Sequence, residues 1–216
     1  MFTGIIEAVG AVKSVEKKGA SGRIYISARV DLAEGGIGGS IAINGVCLTI
    51  TAFDDKGFVA DISDETFRST TLGRLVPRSP VNIERPLTLA KPLGGHLVTG
   101  HVDGIGQLTG KSQRGGSEFE FSAPEALMRQ IVKKGSVAVD GLSLTVAALN
   151  GNGFTVAVVP HTLALTTFGG LKIGASVNIE TDIIGKYVER YLSGRAHYGG
   201  GITEGFLSEH GFLKGR

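Results

Sequence analysis

The sequence is short of the features that most often announce a specialised chemistry. It has one cysteine, Cys47, in 216 residues, which excludes an intrachain disulfide and every zinc site built on several thiolates. It has no tryptophan, and 22 Lys and Arg against 20 Asp and Glu leave a net charge of only +2. With no block of like charge, the basic groove and interleaved aromatics of a nucleic-acid binder are missing; Lys17-Lys18 and Lys133-Lys134 are isolated pairs. No apolar run approaches the roughly 18 residues that cross a bilayer. The opening Met1–Glu7 has no basic n-region, so neither a secretory signal nor an Arg-rich transit peptide is expected, and the chain is expected in the cytoplasm. At 42% hydrophobic and 19% charged residues, it reads as a soluble globular chain held together by packing. Glycine departs in the other direction. There are 34, roughly twice the ~7% share of ordinary proteins, and many tight turns follow.

Familiar chemical signatures are missing too. No Gly-x-Gly-x-x-Gly follows a strand, and Gly110-Lys111-Ser112 imitates the end of a P-loop with Ile105 where its first glycine belongs. The histidines at 96, 101, 161, 197 and 210 show no metal-ligand spacing, and Ser143 lies outside any Gly-x-Ser-x-Gly elbow.

What the chain does contain is itself, twice. A displacement of 96 residues lays Thr3-Gly4 on Thr99-Gly100, and Gly39–Ile50 (GSIAINGVCLTI) on Gly135–Val146 (GSVAVDGLSLTV). Gly57-Phe58 recurs as Gly153-Phe154, Thr70-Thr71 as Thr166-Thr167, and Val81–Glu84 as Val177–Glu180. Each half is a series of short Val-, Ile-, Thr- and Phe-rich stretches broken by turn signals about every ten residues, the pattern of a small antiparallel barrel. Strands are expected at Ile5–Val12, Arg23–Ser27, Ser40–Ile43, Leu48–Phe53, Gly57–Ile62 and Pro80–Glu84, with Asn44-Gly45 as a hairpin turn. The fold class is therefore all-β, a tandem pair of six-stranded antiparallel Greek-key barrels. The expected domains are 1–96 and 97–185, followed by residues 186–216. A helix is expected over Pro124–Lys134, with Gly135 as its stop. Another, over Asp182–Leu192, places Ile183, Ile184, Tyr187, Val188 and Tyr191 on one side. That stripe either folds onto its own barrel or meets a neighbouring subunit. Gly194–Gly201 reads as a linker, and residues 202–216 receive no assignment.

Where the copies differ, several differences are chemically pointed: Cys47 against Ser143, Ile5 against His101, Asn44 against Asp140, Glu65 against His161, Gly38 against Lys134 and Phe2 against Val98. Drift on a loose surface explains part of this set but not its concentration at strand starts and hairpins. Two pockets of similar shape and different polar equipment suit a reaction between two like molecules, or a binder that has lost one site.

Four motifs, Met1–Ile5 (MFTGI), Asn44–Thr49 (NGVCLT), Gly94–Asp103 (GGHLVTGHVD) and Asp140–Val146 (DGLSLTV), resemble the riboflavin synthases, in order and at the right spacing from Met1 to about Tyr191. The resemblance implies a transferase without a cofactor or metal: two molecules of 6,7-dimethyl-8-ribityllumazine give riboflavin and 5-amino-6-ribitylamino-2,4(1H,3H)-pyrimidinedione. It further implies a homotrimer built on carboxy-terminal helices, with each active site between barrels of neighbouring subunits. It leaves open an association with lumazine synthase, for which no motif is visible.

By the same resemblance one pocket takes Gly4, Ile5, Ile6, Cys47, Leu48, Thr49 and the strand Asp61, Ile62, Ser63, Asp64, Glu65, Thr66. The other takes Gly100, His101, Val102, Lys134, Ser143, Leu144, Thr145 and the stretch Ala157, Val158, Val159, Pro160, His161, Thr162. Ser143, Thr145 and His101 are assigned to proton transfer at one lumazine, with Asp182 as a partner, and Cys47 and Ser40 to the opposed site. Leu48 and Leu144 also suit plain core positions, where only their backbone meets a ligand. The competing readings are a chromophore-carrying binder of the same build and a nucleic-acid-binding pair of barrels. The polar set His101, Lys134, Ser143 and Thr145 argues against the first, and the charge pattern against the second.

Overall fold

The computed structural model describes all residues except 34, 113–116, 196–203 and 211–216. It divides into two compact units, Met1–Ile183 and Ile184–Arg216. The first unit holds β1 (Ala8–Lys18), β2 (Ser21–Ser27), β3 (Ser40–Ile43), β4 (Val46–Asp54), β5 (Gly57–Ser63) and β6 (Pro80–Glu84). Their copies are β7 (Gly104–Ser112), β8 (Ser117–Ser122), β9 (Ser136–Val139), β10 (Leu142–Asn150), β11 (Gly153–Val158) and β12 (Ser176–Thr181). Both sets close into antiparallel barrels of the same strand order, β1-β2-β5-β4-β3-β6 and β7-β8-β11-β10-β9-β12.

Period-two alternation sends Ile24, Ile26, Ile50, Phe58 and Ile62 into the first barrel and Phe119, Phe121, Val146, Phe154 and Val156 into the second. One bulge falls between Val12 and Ser14 and another between Ile50 and Ala52; both recur in the second copy, at Leu108/Gly110 and Val146/Ala148. The extra residue raises the local twist that lets so small a sheet close. The Asn44-Gly45 hairpin and its copy Asp140-Gly141 have φ of 46° and 76°, and 44° and 79°, the left-handed pair that a two-residue hairpin requires. The two hairpins abut: a Cβ on either glycine would lie 2.7 Å from the other's backbone nitrogen.

The pair is locked by reciprocal bonds. Asn82 Nδ2 donates to Asp140 O at 3.0 Å, and Asn178 Nδ2 to Asn44 O at 2.9 Å. Thr71 N donates to Asn178 Oδ1, and Thr167 N to Asn82 Oδ1. Phe2 and Val98 pair as an isolated bridge and, with Ala42 and Ala138, form a small apolar core of their own.

Three expectations are corrected. β1 begins at Ala8, not Ile5, because the Thr3 and Gly4 amides are bonded to the Glu84 carboxylate. The strand expected to run from Asp61 to Thr66 turns instead into helix α1 (Asp64–Ser69), and its copy turns into α3 (Pro160–Leu165). Ser63 caps the first by accepting from Thr66 N at 3.1 Å, and Pro160 occupies the first turn of the second. The helix expected over Pro124–Lys134 is only α2 (Glu125–Met128). Beyond it Ile131 is buried, Gln130 receives a hydrogen bond from Thr181 Oγ1, and Lys134 takes a left-handed φ of 68°. Tertiary contacts override the local pattern there.

In the second unit α4 (Ile183–Arg195) appears where the helix was expected, and Ile184, Tyr187, Val188, Tyr191 and Leu192 are all exposed. Residues 194 and 195 of the expected linker belong to α4, and 196–201 lie outside the described residues. Within the unassigned tail, Glu204–Glu209 forms α5. Among the described residues no helix is long and apolar enough to cross a membrane.

Candidate functional site

The segment that opens each repeat does not stay with its own barrel. Thr3 donates from N and Oγ1 to Glu84 Oε1, both at 2.7 Å, and Gly4 N donates to Oε2 at 3.0 Å. Thr99 and Gly100 repeat this on Glu180. Held in this way, Gly4 O accepts from Ser143 N of the second barrel at 2.8 Å, while Gly100 O accepts from Cys47 N of the first at 2.9 Å. Gly4 (φ 74°) and Gly100 (φ 82°) must be glycine, since a Cβ would lie 2.5 Å from Ser143 Cβ or Cys47 Cβ respectively. Ile6 packs against the second barrel's core and Val102 against the first.

This exchange corrects the sequence grouping. Gly100, His101 and Val102 lie with Cys47, Leu48 and Thr49; Gly4, Ile5 and Ile6 lie with Ser143, Leu144 and Thr145. His101 therefore stands on the Cys47 side, apart from Ser143.

Each grouping lies on the outside of its barrel. In the first, Ser40 pairs with Thr49, Thr49 with Asp61, and Asp61 with Arg23, giving one row across four strands. Thr49, Asp61 and Ser63 are exposed and Cys47 is half-buried, whereas Leu48 and Ile62 point into the core. In the second, Ser136 pairs with Thr145; Thr145, Ala157 and Val159 are exposed, and Leu144 and Val158 are core. The leucines thus offer only backbone to a ligand. Asp64 is engaged by Lys17 at 3.1 Å and Arg68 at 2.6 Å, which hold its carboxyl below its ordinary range, with Lys17 the larger influence. Glu65, on the exposed side of α1, pairs with Arg68; Thr66 lies at the cap with Ser63; Pro160, His161 and Thr162 open α3, with Pro160 and His161 exposed. Lys134 N donates to Val146 O beside Thr145.

A further residue enters through Ser143. His96 Nδ1 lies 2.7 Å from Ser143 Oγ, and its Nε2 is sealed without a partner. Burial lowers the His96 pKa below its usual value, against smaller opposing pulls from Asp182 and Glu180, so the ring is neutral at pH 7 and able to accept the serine proton. His96 stands within the Gly94–Asp103 motif, which by itself gives it no role. The signal was Gly95 before it: a side chain there would collide with Ser143, so the chain is cut to bring the ring onto that serine.

Known proteins bear on this arrangement. The family model described as the lumazine binding domain matches residues 3–86 and again 99–182. A riboflavin synthase of Actinobacillus pleuropneumoniae is 43% identical over 193 residues, 89% of this chain and 90% of its own length. The chain belongs to the riboflavin synthase family. The riboflavin synthase of Bacillus subtilis is 40% identical over 215 residues, 98% of this chain and all of its own. Among solved structures, LumP complexed with 6,7-dimethyl-8-(1'-D-ribityl) lumazine superposes with a TM-score of 0.74 over 84% of this chain and 99% of that one, at 22% identity. That likeness shows a shared fold. Membership of the riboflavin synthase family makes the chain a transferase with two lumazine-binding repeats.

Proposed function

We propose that this chain carries out the family reaction, dismutation of two 6,7-dimethyl-8-ribityllumazine molecules into riboflavin and the ribitylaminopyrimidinedione, the last step of riboflavin formation. The products together hold all the atoms of the two substrates. A four-carbon unit leaves one lumazine for the other, so no outside oxidant or reductant enters. The observation that carries the reading is the pair of outward-facing strips, equivalent by repeat yet unequally equipped. One has His101, Cys47, Ser40, Thr49 and Asp61; the other has Ile5, Ser143, Thr145 and Ala157, with His96 behind the serine.

A ring lying on an outward strip leaves its other face open to a second ring carried by a neighbouring molecule. Holding two rings in reactive geometry supplies on the order of 7–11 kcal/mol, against about 10²–10⁴-fold from one positioned acid or base. Positioning is therefore the larger share. The remainder falls to proton loss from the methyl at ring position 7, which we assign to Ser143 with His96 as its acceptor and Thr145 and Asp182 nearby. Cys47, Ser40 and His101 serve the opposed lumazine. Residues 61–66 and 157–162, with the exchanged 4–6 and 100–102, line the two rings, and Lys134 edges the second site.

We further infer the division 1–96, 97–185 and 186–216, a homotrimer assembled through the exposed stripe of α4, and a cytoplasmic location. Tyr187→Glu is expected to convert the trimer to monomers in sedimentation, with turnover lost and lumazine still bound. Association with a lumazine synthase shell is read by co-sedimentation with that protein.

The test of function is to add pure 6,7-dimethyl-8-ribityllumazine with no cofactor or metal and follow both products by chromatography. Equal yields establish the dismutase; lumazine bound and unchanged makes the barrels a binding module only.

A further inference from the structure

The row that crosses the first barrel ends on a residue that no motif selects. Ser40, Thr49 and Asp61 continue on β2 to Arg23, whose Nε donates to Asp61 Oδ1 at 3.1 Å. The corresponding row of the second barrel runs Ser136, Thr145, then Ala157 opposite Glu118. A hydroxyl, hydroxyl, carboxylate, guanidinium series thus exists on one barrel only. As an ion pair it is worth little to stability, because both side chains are more than half exposed, 57% and 52%. Its chemistry points elsewhere. A carboxylate accepts from hydroxyls, a guanidinium donates to their oxygens, and side by side they match adjacent hydroxyls on a chain.

We propose that Arg23 is a substrate-positioning residue of the first-barrel site: it fixes the Asp61 carboxylate so that the pair grips the polyhydroxylated side chain of the lumazine bound there. The inference rests on the functional reading above. With Cys47, Ser40 and the exchanged His101 assigned above to the reacting edge of that ring, its unreactive polyol falls at the Asp61 end of the row, where Arg23 stands. With alanine in place of the carboxylate, the second barrel lacks this grip, and the two sites differ in how far they depend on the polyol.

The experiment compares ribityllumazine with 6,7,8-trimethyllumazine, which keeps the ring and lacks the polyol, binding each to the full chain and to its Arg23→Ala, Arg23→Lys, Asp61→Ala and doubly substituted forms. Arg23→Ala is expected to weaken ribityllumazine about tenfold at one class of site, the scale of a lost charged hydrogen bond. It should raise KM with kcat within about twofold and leave trimethyllumazine unchanged. Arg23→Lys should recover part of the loss, and Arg23→Ala should add nothing once Asp61 is alanine. Equal loss of both ligands, unchanged binding of both, or additive losses in the double variant would each overturn the proposal. Failure of the unsubstituted chain to bind ribityllumazine at all overturns instead the functional reading beneath it.

Discussion

Replacing Asp140 with asparagine puts the interior of the barrel pair to a quantitative test. Asp140 sits in the second hairpin turn, 4% exposed, and its Oδ1 accepts from Asn178 N at 2.8 Å. Desolvation pushes its pKa from 3.8 to about 7, only partly offset by that backbone hydrogen bond. In the folded chain the carboxyl therefore holds its proton up to near neutrality, while the unfolded chain releases it near pH 4. Below pH 4 both states are protonated and the group costs nothing. As pH rises from 4 to 7, the unfolded state alone ionises and stability falls; above 7 the penalty is constant. The difference between 3.8 and 7, at about 1.36 kcal/mol per pH unit, places that plateau near 4 kcal/mol, of which about 3 kcal/mol accrues between pH 5 and 8. Asparagine has no such dependence, and the first repeat shows that it fits: Asn44 Oδ1 accepts from Asn82 N at 2.7 Å in the matching turn. Urea unfolding at pH 5 and pH 8, at one protein concentration, should give Asp140→Asn an advantage over the parent that grows by a few kcal/mol between the two pH values. An advantage that is the same at both would refute the reasoning, because it would mean that the buried carboxyl keeps one charge state throughout.

Four other substitutions, and one pH profile, test the same geometry. His96→Gln and Ser143→Ala should each lower kcat by about 10²–10⁴-fold, with the double variant no worse than either and lumazine binding to the first barrel retained; additive losses in single-turnover rates would separate the two residues. Because burial keeps His96 neutral, the rate should stay flat through neutrality and drop only below the ordinary histidine range; a drop centred near pH 7 would contradict the assignment. Gly100→Ala forces a Cβ into Cys47 at φ 82° and should cost at least about 2 kcal/mol in thermal unfolding, with an intact melting curve counting against the exchanged segment. Lys134→Gly relieves a φ of 68° and should gain about 1 kcal/mol; turnover that falls nonetheless would show the lysine side chain at work in the second site.

Much of the fold was legible because the repeat doubles every signal. Asn44-Gly45 and Asp140-Gly141 mark the same turn, and the alternation in Ile24–Ile26 and Phe119–Phe121 marks the same wall. What escaped was decided by long-range contacts. The Pro124–Lys134 pattern has good helical spacing, yet Ile131 is drawn into the barrel and Gln130 onto Thr181, which stops the helix after Met128. The short helices α1 and α3 carry no apolar period, and their only local cues are the Ser63 cap and Pro160. The residues of the two candidate strips could be picked out, since Cys47, Ser143, His101 and Ile5 stand at matched positions where the copies disagree. Its grouping was hidden, because a repeat of 96 residues gives Gly4 and Gly100 the same neighbours whether each stays with its own barrel or crosses to the other.

That crossing also bears on why two copies remain joined in one chain. Each strip needs an opening segment that its own repeat sends away: Cys47 is completed by Gly100–Val102, and Ser143 by Gly4–Ile6. The segment that holds position 5 therefore completes the second strip and the one that holds position 101 the first, so each strip takes its residues from both halves of the sequence. The swap of Ile5 for His101 puts a histidine in the segment bonded to Cys47 and an isoleucine in the segment bonded to Ser143, adding to the contrast of Asp61 against Ala157 and Ser63 against Val159. Two sites that bind the same molecule must differ if one lumazine is to give and the other to receive. The exchange allows that difference to grow while the Asn82–Asp140 and Asn178–Asn44 hydrogen bonds keep the two barrels in register.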